Sequence, residues 1–352
     1  METNNNDIIV AISNGDINGI GYEVILKSLA DIRITELCTP VVYGSAKVAA
    51  YHRKVLNLGS VNLNSVKSIE EIDMNKCNLV NCVDDNVRVE LGKSTEFGGQ
   101  GALASLEAAL TDVLEGTADV LVTAPINKSN IQSETFHFPG HTEYLAAKCG
   151  IDPDMVLMLM ISEGLRVGVA TGHIPLANVP AAITPELIVQ KLGIMQQSLK
   201  YDFGIRKPRI AVLGLNPHAG DEGLLGTDEI ERILPAIQKA NDMGITAMGP
   251  YPADGFFASG NFAKFDAILA MYHDQGLIPF KTLAGETGVN FTAGLPIVRT
   301  SPAHGTAFAI AGLNEANEES FRHAIYAAID IVRNRRVYDE ISANPLEIQE
   351  RD

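Results

Sequence analysis

Short runs of β-branched and other apolar residues alternate along the chain with longer amphipathic segments, a pattern typical of α/β proteins. The predicted strands are Ile8–Ser13, Val41–Tyr43, Ala118–Thr123, Met155–Ile161, Val167–Ala170, Ile210–Leu215 and Ala267–Met271. The predicted helices are Gly21–Ala30, Gln100–Leu114, Pro185–Leu199, Asp228–Asp242 and Ser320–Arg335. The alternation predicts a mixed, largely parallel sheet covered by helices, with ligand sites at the carboxyl ends of strands.

The chain shows no boundary between separate domains. Its 352 residues exceed the length of one average domain, but it contains no internal repeat, low-complexity segment or Pro/Ser-rich linker. We therefore expect one two-lobed unit over residues 1–352 with interleaved lobes. One lobe is expected mainly from about 1–135 and 290–340 and the other from about 136–289, with the polar tail after Arg336 at the periphery.

Composition and charge exclude several classes of partner. Hydrophobic residues make up 46% of the chain and charged residues 20%, which suits a large core. Lysine and arginine number 27 against 43 acidic residues, so the formal net charge is −16. This balance disfavours binding to nucleic-acid phosphates or to an anionic membrane surface. The net charge therefore argues against nucleic acids and anionic membranes as partners, but it does not identify a substrate.

The sequence carries no signal for export or membrane insertion. Its first residues lack the basic segment and long apolar core of a signal peptide, and no window of about 18 residues is apolar and uncharged. The cysteines, which form no CxxC pair or disulfide framework, are Cys38, Cys77, Cys82 and Cys149. We expect a cytoplasmic protein that crosses no membrane.

Three histidines each follow a predicted strand: His173, His218 and His273. Strand ends at one edge of an α/β sheet are where ligands bind. Three neutral imidazoles that leave open positions would suit a catalytic divalent metal acting as a Lewis acid. The alternative is that each is an ordinary loop histidine whose ring is hydrogen-bonded to the backbone.

Several residues have the chemistry to hold an anion. His141 and Thr142 begin a predicted helix whose free N–H groups favour phosphate or carboxylate, although Thr142 and Glu143 could instead cap that helix. Lys281 has apolar neighbours, while Asn290 and Arg299 flank a Gly-Leu-Pro turn. Lysine and arginine side chains are the usual ligands of phosphate and carboxylate groups.

Two glycine-containing segments could hold the phosphates of a dinucleotide. The first directly follows the first strand but lacks the G-x-G-x-x-G register of a Rossmann fold, so taken alone it is a tight strand-to-helix turn. The second is predicted to open a helix whose N-terminus could accept a diphosphate. The candidate residues are Gly15, Gly19 and Gly21 in the first segment and His304, Gly305 and Thr306 in the second.

Together, seven ordered segments resemble the 4-hydroxythreonine-4-phosphate dehydrogenase family of vitamin B6 biosynthesis, and the resemblance runs from Ile8 to about Arg333. Such a series is far more specific than any single motif. The segments are Gly140-His-Thr-Glu143, Gly214-Leu-Asn-Pro-His-Ala-Gly220, Gly226-Thr-Asp-Glu229, Ala270-Met-Tyr-His-Asp-Gln-Gly276, Gly288-Val-Asn290, Gly294-Leu-Pro296 and Arg299-Thr-Ser301 with His304-Gly-Thr306.

The resemblance implies a fold like that of isopropylmalate and isocitrate dehydrogenases, with the active site in the cleft between two α/β lobes. It also implies NAD or NADP as cofactor and an obligate homodimer that shares one divalent metal ion (Zn, Co, Ni, Mg or Mn), with His273 supplied by the partner. The implied metal ligands are His173, His218 and His273. The implied residues for a small phosphorylated substrate are His141, Thr142, Lys281, Asn290 and Arg299.

The implied reaction is oxidation of 4-phosphooxy-L-threonine at C3, with decarboxylation to 3-amino-2-oxopropyl phosphate. Lys281, Asp254 and Asp274 are all candidates for the general base. Ile17 and Asn18 stand where the family usually has Pro-Ala. This departure leaves open a related substrate such as D-threonate or D-erythronate 4-phosphate. A phosphate acyltransferase and a two-lobed solute-binding protein are the alternatives from other classes.

Overall fold

The computed structural model describes residues 8–84, 87–133, 136–138 and 140–344. Residues 1–7, on which the expectation of no signal peptide rests, lie outside the described residues. The end of the polar tail, from residue 345, also lies outside them. The described strands are β1 Ile9–Ser13, β2 Thr39–Gly44, β3 Asn64–Val66, β4 Asn78–Asn81, β5 Val120–Thr123, β6 Leu157–Ser162, β7 Leu165–Thr171, β8 Ile210–Leu213, β9 Ala247–Tyr251, β10 Ala267–Tyr272, β11 Val289–Ala293 and β12 Val298–Pro302.

The described α-helices alternate with these strands, and 3-10 or π-helical turns connect several of them. Their bounds are α1 Gly21–Leu29, α2 Ile34–Leu37, α3 Ala46–Val55, α4 Glu96–Leu114, α5 His141–Lys148, α6 Val179–Ala182, α7 Pro185–Tyr201, α8 Leu234–Asp242, α9 Ala253–Ala258, α10 His273–Ala284 and α11 Glu319–Ser342. None of the helices in these described ranges combines the length and the apolar character that a membrane span requires.

All twelve described strands form one continuous sheet in the order β3-β4-β2-β1-β5-β12-β11-β6-β7-β10-β8-β9. Most neighbouring strands are parallel, and the antiparallel pairs lie together in the middle, where β11 pairs with β12 and β6, and β6 pairs with β7. Helices cover both faces. The predicted fold class, a largely parallel α/β sheet covered by helices, is confirmed.

The core lies on both sides of the sheet because successive residues of a buried strand point to opposite faces. Val10 and Ile12 of β1 pack into one cluster with residues of α1 and α11, whereas Ala11 packs into another with residues of α4. The helix α7 begins where the sequence predicts it, because the Thr184 hydroxyl accepts a hydrogen bond from Leu187 N at 3.2 Å and so caps the first turn.

The structure corrects one sequence prediction near the site. No helix opens at His304; Ala307 has φ of 41°, and only a short 3-10 turn, Phe308–Ile310, precedes α11. An α-helix requires negative φ, so the chain cannot enter one at this point. A helix N-terminus is therefore not available there for a diphosphate.

Arg335 of α11 holds the turn between β11 and β12. It is 8% exposed, its Nε donates to Asp202 Oδ1 at 2.7 Å, and its Nη1 donates to Pro296 O at 2.9 Å. The two strands joined by this turn carry Asn290 and Arg299. The ion pair thus anchors the hairpin on which two predicted site residues lie.

We expect Arg335→Met to lower the free energy of unfolding by about 3–5 kcal/mol, because it leaves the Asp202 carboxylate buried without its ionic partner. Urea unfolding at neutral pH measures the change. The neighbouring Arg336→Met is the matched control, since Arg336 forms a half-exposed pair with Asp119 and should cost no more than about 1 kcal/mol. Equal losses in the two variants would show that the buried pair has no special role.

Candidate active site

A cleft of about 340 Å³ opens beside the central strands of the sheet. It is lined from β6, β11 and β12, from the loops after β5, β7 and β12, and from the starts of α5 and α10. The cleft brings together nine residues predicted from the sequence: His141, Thr142, His173, His273, Lys281, Asn290, Arg299, His304 and Gly305.

Arg299 lies on β12 at the floor of this cleft and is 2% exposed. Its Nε and Nη2 donate to Thr123 Oγ1 at 3.1 and 2.7 Å, and its Nη1 donates to Thr292 Oγ1 at 3.3 Å. Burial lowers the pKa of Arg299 to about 10, although the Glu143 carboxylate raises it. Among the described residues the guanidinium has no salt bridge, so it is a buried positive charge available to an anion.

Three buried polar atoms of the cleft lining have no hydrogen-bond partner within the described ranges: His141 Nε2, Asn290 Oδ1 and His304 Nε2. Such an atom costs about 1–3 kcal/mol when it stays unpaired. The His304 ring already donates from Nδ1 to Gly305 O at 3.0 Å, which leaves its Nε2 as an acceptor. A ligand that carries both anionic oxygens and hydrogen-bond donors would satisfy this set.

The helix α5 directs its N-terminus to the same place. Gly140 is the N-cap, and no side chain of the described residues caps the helix, so the alternative that Thr142 and Glu143 serve as caps is not realised. The backbone N–H groups of the first turn therefore remain available for an anion. Burial, then the charges of Arg299 and Lys128, lower the pKa of His141 well below its ordinary value, which favours the neutral imidazole.

Lys128 is a cleft residue that the sequence reasoning missed. It lies in the loop after β5 and lines the cleft together with Lys281, and Glu143 is the one acidic residue in the described lining. The cleft is therefore positively charged in a protein with a net charge of −16. Its place just after the predicted strand Ala118–Thr123, where site residues are expected, was the signal that could have identified it.

The three predicted metal ligands follow neighbouring parallel strands, since β10 pairs with β7 on one side and β8 on the other. The rings of His173 and His273 have centroids 5.5 Å apart. Burial is the first cause that lowers the pKa of His173, followed by the charges of Lys128 and His273. His273 Nδ1 lies 2.7 Å from Asp274 Oδ1, which orients the ring in the manner of a metal ligand with its supporting carboxylate.

His218 lies apart from the other two histidines. It lines a neighbouring cleft of about 500 Å³ with Asp254 and Asp274. Across the described ranges, no three His, Cys, Asp or Glu side chains of one chain come together as a metal site. The adjacent imidazoles of His173 and His273 fit a divalent ion, but a single chain supplies only two of the three predicted ligands at that point.

The glycines of the first turn have a packing role and do not line the main cleft. A Cβ on Gly15 would lie 2.4 Å from Pro125 O, and one on Gly19 would lie 2.8 Å from Thr306 O. The amide of Ile20 also donates to Thr306 O at 3.0 Å. The two segments predicted to hold a dinucleotide are thus in direct contact with each other.

The first turn is also held by a buried histidine of α3. The ring of His52 stacks on Tyr22 with centroids 5.0 Å apart, and its Nε2 donates to Ile17 O at 2.8 Å. Burial lowers the pKa of His52 to about 4, against an ordinary value of 6.5. Between about pH 4 and pH 6.5 the imidazole is therefore neutral in the folded protein, whereas in the unfolded chain it binds a proton.

This difference makes the stability fall as the pH falls from about 6.5 to about 4, because the unfolded state then binds the extra proton. Between about pH 7 and pH 4, we expect the free energy of unfolding to fall by about 3 kcal/mol more in wild-type protein than in His52→Gln. Denaturant unfolding at a series of pH values measures both, with the exposed His137→Gln as control. Parallel pH profiles for wild type and His52→Gln would contradict this assignment.

The fold and the cleft define an α/β protein with a positively charged cleft suited to an anionic, hydrogen-bonding ligand. The sequence model for the family described as pyridoxal phosphate biosynthetic protein PdxA matches residues 36–328. This chain belongs to that family, and it is therefore an oxidoreductase.

Its relatives resemble it over nearly the whole length. It is 55% identical to the 4-hydroxythreonine-4-phosphate dehydrogenase of Bacteroides thetaiotaomicron over 344 residues, covering 98% of this chain and 94% of that protein. The crystal structure of 4-hydroxythreonine-4-phosphate dehydrogenase from Klebsiella pneumoniae is 34% identical with a TM-score of 0.80, covering 92% of this chain and 98% of that one. A Cutibacterium acnes protein, provisionally named a D-threonate 4-phosphate dehydrogenase, is 38% identical over 92% of this chain and 94% of its own length.

Proposed function

We propose that this protein oxidises 4-phosphooxy-L-threonine at C3 with NAD or NADP and releases 3-amino-2-oxopropyl phosphate and CO₂. In this reaction the C3 hydride passes to the nicotinamide and the hydroxyl proton to a base. The resulting ketone is β to the carboxylate, so CO₂ can leave and a proton takes its place on C2. The observation that carries the proposal is the cleft itself, where Arg299 is buried without a salt bridge to any described residue and three polar atoms have no hydrogen-bond partner within the described ranges.

The phosphate of the substrate would bind at the floor of the cleft. Arg299 supplies a fixed guanidinium, and the first-turn amides of α5 and the ring of His141 supply further donors. Lys281 adds a second positive charge from α10. Asn290 Oδ1 and His304 Nε2 are acceptors for the substrate's ammonium or hydroxyl hydrogens.

A divalent ion on His173, His218 and His273 would supply Lewis-acid activation of the hydroxyl group when bound. One chain brings only His173 and His273 together, so the full set requires a second copy, and we propose a homodimer with shared sites. Of the three candidate bases, Lys281 lines the cleft with the unsatisfied atoms, whereas Asp254 and Asp274 line the cleft of His218.

The nicotinamide cofactor would supply the hydride acceptor. Its binding region is proposed at the contact between the two loop segments, which include Gly15, Gly19 and Gly21 on one side and His304, Gly305 and Thr306 on the other. His304 and Gly305 also line the substrate cleft. The proposed cofactor region would then lie beside the proposed substrate site. We also propose that the enzyme acts in the cytoplasm.

A second candidate substrate is D-threonate 4-phosphate, which carries a hydroxyl where 4-phosphooxy-L-threonine carries an ammonium group. The name of the Cutibacterium acnes relative supports it. The same anion-binding residues would hold its phosphate, so the cleft alone favours neither compound strongly. The identity of 55% to a 4-hydroxythreonine-4-phosphate dehydrogenase favours the amino compound.

A substrate panel tests the proposal. Purified protein is supplied with Zn²⁺, Co²⁺ or Mg²⁺, with NAD⁺ or NADP⁺, and with either 4-phosphooxy-L-threonine or the four-carbon sugar-acid phosphates. We expect the highest kcat/KM with 4-phosphooxy-L-threonine. Preference for D-threonate or D-erythronate 4-phosphate would move the assignment to that substrate, and no reduced nicotinamide with any compound would overturn it.

A further inference from the structure

Lys128 is a charged residue of the cleft to which the proposed reaction assigns no role. It lies in the loop after β5 and lines the same cleft as His141 and His173. Its Nζ is 3.8 Å from the position where Gly140 would carry a Cβ, which places the ammonium group beside the start of α5. Within the described ranges this ammonium group has no hydrogen bond and no ion pair.

The backbone that carries Lys128 is held on both sides. Asn130 Nδ2 donates to the buried Asp16 carboxylate at 2.7 Å, and Asn127 Nδ2 donates to Ser94 Oγ at 2.8 Å. The fit on the Asn130 side is close, because a Cβ on Gly99 would lie 1.9 Å from Asn130 O. Lys128 therefore extends from an anchored loop, and it lines the cleft.

The substrate proposed above has two anionic groups at opposite ends of a four-carbon chain. The phosphate carries more negative charge and more acceptor oxygens, and it matches the floor of the cleft, where Arg299 is buried and the α5 amides are free. Lys128 is an exposed residue beside the start of α5, whereas Arg299 is buried. A single lysine ammonium at the rim suits a carboxylate, which needs one compensating charge.

We propose that Lys128 binds the substrate carboxylate, the group that the reaction releases as CO₂. This inference rests on the proposed function. The phosphate at Arg299 and the carboxylate at Lys128 would then fix both ends of the substrate, so the C2–C3 bond lies across the cleft within reach of His173 and His273. Lys128 is thus a substrate-binding residue that sets which carbon is presented for oxidation.

Two ligands separate this role from a general contribution to the cleft. One is 4-phosphooxy-L-threonine, and the other is the analogue in which the carboxylate is reduced to a primary alcohol. Calorimetry measures the Kd of each for wild type, Lys128→Met and Lys128→Arg. Lys93→Met, which removes an exposed lysine paired with Glu90, is the matched control.

Wild type should bind the acid about tenfold more tightly than the alcohol analogue, and Lys128→Met should abolish that preference while leaving the Kd of the analogue unchanged. Lys128→Arg should recover much of the preference, and Lys93→Met should retain all of it. For turnover of the acid, Lys128→Met should raise KM by a similar factor. Inhibition by inorganic phosphate should be the same in wild type and Lys128→Met.

Equal weakening of both ligands by Lys128→Met would overturn the inference, because the lysine would then hold the phosphate or shape the cleft. Unchanged binding of both ligands would overturn it as well. A wild-type protein that binds inorganic phosphate but neither four-carbon compound would contradict the proposed function itself. That outcome appears before any variant is measured, so the two failures are distinguishable.

Discussion

Replacing Arg299 with methionine should lower kcat/KM for the phosphorylated substrate by about 10³-fold, because two or more charge-assisted hydrogen bonds to the phosphate are lost. The free energy of unfolding should not fall with it. The guanidinium is buried without a carboxylate partner among the described residues, so its desolvation is a cost to the folded state. Initial rates and urea unfolding on the same preparation give both quantities.

Two control variants distinguish loss of phosphate binding in Arg299→Met from damage to the fold. Arg336→Met removes an exposed arginine and should leave kcat/KM unchanged. Arg299→Lys keeps one charge but cannot form the planar fork, so it should recover only part of the activity. If Arg299→Met unfolded as readily as Arg335→Met, Arg299 would be a structural residue, and the anion site would have to be sought elsewhere in the cleft.

Replacing His218 with alanine should remove the bound divalent ion and lower activity by more than about 100-fold, the upper end of the loss seen even for residues that only support a metal ligand. His218 is exposed and lies in a loop, so the fold should be unaffected. Metal content by atomic emission is the direct readout, with His137→Ala, another exposed histidine, as control.

The proposed homodimer provides a second readout for this experiment. If the three imidazoles meet only across two chains, mixing His218→Ala with His273→Ala subunits should restore a fraction of the sites, because some hybrid sites carry a full ligand set. Restored metal and activity in the mixture supports shared sites. Full metal content in His218→Ala alone would show that His218 is not a ligand.

The strands and helices that the sequence predicted well are those with a strong apolar pattern. β1, β5 and β10 lie within one or two residues of their predicted ranges at both ends. The hairpin β11–β12 was missed because polar residues, the half-buried Asn290 and the buried Thr292 and Arg299, break that pattern. Asn290 and Arg299 line the cleft. The apolar pattern of a buried strand is therefore interrupted where the site needs polar side chains.

The site itself was predictable only as separate residues. His141, Lys281, Asn290 and Arg299 were identified from their types and neighbours, and the structure places them in one cleft. The separation of His218 from the other two histidines depends on the path of its loop, in which His218 and Ala219 both have positive φ. No spacing rule in the sequence gives that path.

The α10 helix shows the same limit. Gly276 and Pro279 lie inside it and argue against a helix, yet burial of Leu277 and Phe280 against the sheet stabilises it. The helix carries Lys281 two turns beyond His273 and so places it in the cleft. Tertiary packing therefore decides a position that propensity alone would assign to a loop.

The most direct test of the central claim is the stoichiometry of the reaction. Purified protein with a divalent metal and NAD⁺ or NADP⁺ is given 4-phosphooxy-L-threonine labelled with ¹³C in the carboxylate, and reduced nicotinamide and labelled CO₂ are measured together. Oxidation at C3 followed by loss of the carboxylate predicts one labelled CO₂ for each reduced nicotinamide. Reduced nicotinamide without labelled CO₂, or neither product, would contradict it.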